Sequence, residues 1–148
     1  MTFSSDADIR RIARAVIDLT LPRAEWTHEA HVAVAAWLMC CGDYDVFWDL
    51  PRIIQAYNQE VGTPNTDSSG FHETITHASL RAIRHFLRED PEDGRLFERI
   101  HRLFETELGD PDWVLNYWSR ERIFSVEARG GRGLSLKMGL FHTSKCRG

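Results

Sequence analysis

Apolar residues recur at helical spacing along most of this 148-residue chain, and the strict alternation typical of β-strands is missing from the sequence. Six segments carry the helical pattern: residues 6–19, 28–41, 45–60, 71–88, 94–108 and a stretch that begins at Pro111 with Asp110 as its cap. The length fits one domain that can bury a core without disulfides. We therefore predict an all-α fold, a single compact domain of five or six helices arranged as a helical bundle.

Residues with known helix-capping preferences mark several ends of these segments. Ser5 or Asp6 is placed to cap the first helix and Thr27 the second. Gly42 is typical of a C-terminal stop. Pro51 lies inside the third segment and leaves open whether that helix starts before it or after it.

Composition and charge limit the classes of function. Hydrophobic residues make up 43% and charged residues 27%, as in ordinary globular proteins. No apolar run reaches the length of a membrane span and the first residues do not resemble a signal peptide, so we expect a cytoplasmic protein without a membrane partner. Residues 1–128 carry 22 acidic and 13 basic side chains, which predicts an acidic helical domain that does not bind nucleic acid. Residues 129–148 carry five basic side chains and no acidic one, which predicts a loosely ordered basic tail.

Four of the seven histidines fall in two short segments, each at the predicted start of a helix. We call residues 26–31, Trp-Thr-His-Glu-Ala-His, the first motif and residues 70–77, Gly-Phe-His-Glu-Thr-Ile-Thr-His, the second motif. His28 and His31 are about 60° apart on one helix face, which suits two ligands of one metal ion. His72 and His77 are about 140° apart, so the second motif is not a zinc-protease motif.

Together these histidines predict a metal site between two helices. His28, His31 and His72 are the candidate ligands of a divalent zinc, iron or manganese ion with one position left for water. Glu73 is the candidate general base, and His77 or Glu73 could instead be a fourth ligand or support the others. The chemistry that follows is hydrolysis of a small anionic metabolite.

A third motif, residues 117–129, combines aromatic and charged side chains. It favours an amphipathic helix with salt bridges on its wet face, in which Tyr117 and Arg120 lie on the side that could reach a ligand. With the positive ends of the two motif helices, Arg120 or Arg122 would suit a carboxylate or a phosphate.

A second class of function competes with the metal site. The histidines would then serve hydrogen bonding alone in a non-enzymatic small-molecule-binding or interaction module. Aromatic side chains would be packing residues or pocket walls in such a module, namely Trp26, Trp37, Trp113 and Trp118.

The three motifs, with Tyr57-Asn58 between the first and second, resemble a family of small uncharacterised bacterial proteins. That family is built on W-x-H-x-x-H, G-[FY]-H-E-T-x-T and S-R-E-R-[LI]-F-S-x-E-A-R, and the likeness covers residues 26–129. It implies a shared site without naming its reaction. The residues it adds weight to are Trp26, His28, His31, Asn58, His72, Glu73, Thr76, Ser119 and Arg120. His77 is outside the family pattern, and the chain departs from the pattern after Arg129.

Overall fold

The structure is a computed structural model that describes residues 3–66, 70–90 and 94–131. Within these ranges the chain forms α-helices joined by short turns, and the all-α prediction is confirmed. The helices are α1 (Asp6–Ile17), α2 (His28–Cys41), α3 (Val46–Glu60), α4 (Glu73–Glu89), α5 (Leu96–Phe104), α6 (Arg120–Ile123) and α7 (Val126–Arg129). Nearly all of the predicted basic tail, residues 132–148, lies outside the described residues.

The central helix is α2, which packs against α1, α3, α4 and α5. The apolar side chains of α2 lie around much of its circumference, as expected of a helix enclosed by others. The buried ones are Ala30, Val32, Ala33, Val34, Ala35, Ala36 and Leu38. The Oγ1 atom of Thr27 accepts a hydrogen bond from the Ala30 N–H at 3.2 Å, and Gly42 ends the helix at φ +80°. Both predicted ends of α2 are confirmed.

Helix α3 begins before its proline. It starts at Val46, and Pro51 lies inside the helix and is buried. A proline there removes one backbone N–H from the helical ladder. The helix nevertheless continues to Glu60 and buries Leu50, Ile54 and Tyr57 on one face, so packing against neighbouring helices outweighs the lost hydrogen bond.

The chain after α5 departs most from the prediction. The fifth helix ends at Phe104 instead of residue 108, and a Cβ atom at Gly109 would lie 2.1 Å from the Phe104 carbonyl oxygen. The backbone therefore folds back on the end of α5. Asp110 caps a turn instead of a helix, because its Oδ1 accepts from the Asp112 N–H at 2.9 Å.

The predicted sixth helix is wrong as a continuous element. The chain forms 3-10 turns at Glu107–Gly109 and Trp113–Asn116, followed by the single-turn helices α6 and α7. Serine caps break the segment, because Ser119 and Ser125 accept hydrogen bonds from backbone N–H groups at the starts of α6 and α7. No described helix is both long and apolar enough to cross a membrane.

Candidate functional site

The first motif forms the junction between a 3-10 turn at Arg23–Glu25 and α2. His28 is the first residue of α2, and its Nε2–H donates to the Leu108 carbonyl at 2.8 Å. His31 donates from Nδ1 to the Thr27 carbonyl at 2.7 Å. The two rings are therefore fixed by separate backbone carbonyls instead of by a common partner.

An aromatic stack surrounds His31. The Trp26 ring stacks on the His31 ring with centroids 3.8 Å apart. Tyr57 makes an edge contact with Trp26, and the centroids of these two rings are 5.5 Å apart. Tyr57 is fully buried, and its hydroxyl donates to the Leu21 carbonyl at 2.8 Å. The stack holds the indole and imidazole rings of the first motif against α3.

His31 is neutral at physiological pH. Burial lowers its pKa to about 4, although the hydrogen bond to Thr27 opposes this shift and the neighbouring His28 adds to it. Since Nδ1 carries the proton, Nε2 keeps a lone pair, and within the described residues it has no hydrogen-bond partner. His31 thus offers an acceptor, not a positive charge.

In the second motif, His72 is the N-cap of α4, which explains why that helix starts at Glu73 instead of Phe71. Its Nδ1 accepts from the Ile75 N–H at 3.1 Å, and its Nε2–H donates to the Ile123 carbonyl at 2.6 Å. Burial is the main cause that lowers its pKa. Both ring nitrogens of His72 are therefore engaged by the protein.

The third motif binds the second. Thr74 donates from its hydroxyl to the Ala128 carbonyl, and Nη1 of Arg129 lies 3.2 Å from the Gly70 carbonyl and 3.3 Å from that of Phe71. With the bond from His72 to Ile123, these contacts join the start of α4 to α6 and α7. We call this set of contacts the clasp.

The predicted metal ligands are not brought together. Among the described side chains, no group of three or more His, Cys, Asp or Glu residues could hold a metal ion. Glu73, the predicted general base, pairs with Nε2 of His77 at 2.6 Å, and the His77 ring stacks on Phe47 with centroids 6.0 Å apart. The metal site stays a prediction, and Nε2 of His28, both ring nitrogens of His72 and the Glu73 carboxylate have other partners.

The predicted ligand-facing residues of the third motif also have other positions. Tyr117 donates to Oε2 of Glu107 at 2.6 Å, and burial together with this bond raises its pKa to about 12. Ser119 caps α6 by accepting from the Arg122 N–H at 3.2 Å. The exposed Arg120 lies over the Phe124 ring, 5.7 Å from its centroid. None of these residues lines either cavity described below.

A cavity of about 330 Å³ lies beside the first motif, between α2, α3 and α4. We call it the apolar cavity. Its walls are mostly hydrocarbon, contributed by Val32, Ala35, Leu50, Ile54, Ile75, Leu80, Ile83, Pro111 and Trp113. The other lining residues are Trp26, His28, His31, Thr76 and Ser79. Four predicted site residues, Trp26, His28, His31 and Thr76, therefore meet here.

A second cavity of about 400 Å³ adjoins the first, and we call it the polar cavity. The two share Trp26, His31, Ile54, Ile75 and Thr76 as lining residues. The polar cavity adds Arg23, Tyr57, Asn58, Val61, Thr63, Gly70, Phe71 and His72. It is therefore the second place where predicted site residues converge.

The predicted site residue Asn58 anchors the loop that follows α3. Its Nδ2 donates to Oδ1 of Asn65 at 2.9 Å, and that oxygen also accepts from the Phe71 N–H at 3.1 Å. Asn65 in turn donates to the Gln55 carbonyl at 3.0 Å. Asn58 thus shapes the wall of the polar cavity through the loop.

The polar wall residues that the sequence analysis does not single out include Arg23 and Ser79. The position of Arg23, three residues before Trp26 of the first motif, is the sequence feature that could have indicated it. Ser79 is three residues after Thr76, which places the two side chains on one face of α4.

Comparison of the chain with protein-family models, with curated proteins and with solved structures finds no match. The likeness to the bacterial family therefore stays a prediction.

Proposed function

We propose that the protein binds a small, mostly apolar molecule in the apolar cavity, without a metal ion. The carrying observation is that the first motif and Thr76 of the second line one cavity of about 330 Å³ with hydrocarbon walls. Small-molecule sites have this character: a concave apolar space of roughly 300–1,000 Å³ with a few placed polar groups.

Three polar groups are available to orient such a molecule. Thr76 and Ser79 line the apolar cavity, and their hydroxyls make no hydrogen bond to any other described residue. His31 adds the lone pair of Nε2 and is held neutral by its low pKa. A ligand that presents an N–H or O–H donor to His31 would be favoured over one that presents only acceptors.

The rigidity of the walls supports binding further. The Trp26 ring is held by His31 and Tyr57, and His28 is tied to Leu108. Walls that are already ordered lose little conformational entropy when a ligand enters. The motif histidines would act as supports and acceptors in this site.

The predicted hydrolase with a metal at His28, His31 and His72 gains less support. It would require His72 to give up at least its bond with the Ile75 N–H, and Glu73 to leave His77. Metal analysis of protein purified without a tag or chelator would separate the two: stoichiometric zinc, iron or manganese that His72→Ala removes would favour the hydrolase.

The test of binding uses an uncharged fluorescent probe, N-phenyl-1-naphthylamine, titrated into the protein. Ser79→Leu puts a branched hydrocarbon side chain into the cavity, so we expect it to weaken probe binding at least about tenfold. Ala56→Leu is the matched control, since Ala56 is exposed on α3 and lines neither cavity. Equal probe affinity in the wild type and Ser79→Leu, or no binding by the wild type, would contradict the proposal.

A further inference from the structure

Arg23 is a positive charge at the polar cavity. It is exposed and belongs to the 3-10 turn before the first motif. No ion pair or hydrogen bond joins its guanidinium to another described residue. The nearby acid, Glu25, pairs with Arg11 at 3.3 Å. Arg23 is thus left with an open set of donors that matches a carboxylate or similar anion.

The surroundings of Arg23 make that charge selective. No aspartate or glutamate is among the described residues that line either cavity, although the chain carries a net charge of −4. Burial lowers the pKa of both histidines of the polar cavity, His31 and His72, and so favours their neutral forms. Among the described residues that line the two cavities, Arg23 is the only arginine or lysine.

The two cavities together present an apolar end and a cationic end. They adjoin at Trp26 and His31, with hydrocarbon walls on one side and Arg23 on the other. A ligand that fits both would have an apolar body and one anionic group.

We infer that Arg23 is an anion-binding residue and that the ligand class is an apolar organic monoanion, such as an aromatic carboxylate. The inference rests on the proposed function, because it extends the ligand of the apolar cavity into the polar one. The apolar body would occupy the apolar cavity, and the anion would pair with the guanidinium.

Two probes with the same ring system test this. 8-Anilinonaphthalene-1-sulfonate carries an anion, and N-phenyl-1-naphthylamine does not. We expect Arg23→Gln to weaken the sulfonate about tenfold, leave the uncharged probe unchanged, and be rescued in part by Arg23→Lys. Arg10→Gln, which removes an exposed arginine of α1 outside both cavities, should change neither. Far-ultraviolet circular dichroism checks that each variant is folded, and a 1:1 stoichiometry checks that the probe binds at one site.

The outcomes separate the two proposals. If the uncharged probe binds and Arg23→Gln leaves the sulfonate unaffected, or weakens both probes equally, the anion inference is overturned and the binding function stands. If neither probe binds the folded wild type, the proposed function falls and the inference falls with it.

Discussion

Replacing His72 distinguishes a structural histidine from a metal ligand. The ring is only 7% exposed, and its two nitrogens hold the Ile75 N–H and the Ile123 carbonyl. His72→Ala removes an N-cap, at a cost of about 1 kcal/mol. It also leaves a buried carbonyl without a donor, at a cost of about 1–3 kcal/mol. We therefore expect a total destabilisation of about 2–4 kcal/mol.

Urea unfolding followed by circular dichroism at pH 7.5 measures this loss. In a chain of this length it corresponds to a fall in melting temperature of about 6–12 °C. His72→Asn should lose about half as much, because asparagine can still cap α4 but its shorter side chain does not replace the bond to Ile123. His101→Ala, in an exposed position of α5, is the matched control and should change stability little.

The result that refutes the reasoning is a His72→Ala protein within about 0.5 kcal/mol of the wild type, similar to His101→Ala. That outcome would mean that the two hydrogen bonds contribute nothing net, and it would return His72 to the metal-ligand hypothesis.

Two further predictions concern pH and backbone packing. The folded pKa of His31, about 4, is below the unfolded value of 6.5, so the unfolded state binds the proton first and stability should fall as pH drops from about 6.5 towards 4. Urea midpoints across this range should fall less steeply in His31→Phe, which keeps the ring stack. Gly109→Ala should lower the free energy of unfolding by about 1–3 kcal/mol, because the added Cβ atom meets the Phe104 carbonyl. Gly94→Ala is the control, since its Cβ atom meets only the flexible Glu98 carboxylate. Equal free energies of unfolding for the two variants would contradict this prediction.

Locally encoded features of the fold could be predicted from the sequence. Ser5, Thr27 and Gly42 cap or end their helices through groups at most three residues away, so the sequence contains the whole interaction. The start of α4 could not be placed in the same way. His72 orients its cap by donating to Ile123, 51 residues later, and that contact depends on the tertiary structure.

In the candidate site, too, local features could be predicted from the sequence and tertiary contacts could not. Helical spacing predicted that His28 and His31 share one helix face, and the structure places both of them on the apolar cavity with Thr76, but the spacing did not indicate what their polar atoms contact. The Leu108 carbonyl that holds His28 lies in the 3-10 turn Glu107–Gly109, 80 residues later in the chain. The spacing of apolar residues does not distinguish a capping serine from a polar serine inside a helix. The sequence therefore predicts one helix across Ser119 and Ser125, where the structure has two N-caps.

The clasp has a consequence for the order in which the protein assembles. Its hydrogen bonds span 51 to 59 positions of sequence, whereas α1 and α2 follow one another directly in the chain and pack together. During synthesis α1, α2 and α3 can associate as soon as they emerge, but the first turn of α4 must wait for Arg129 before it is fastened. Because Ile75 and Thr76 in that turn line both cavities, the walls of the two cavities are completed among the last steps of folding.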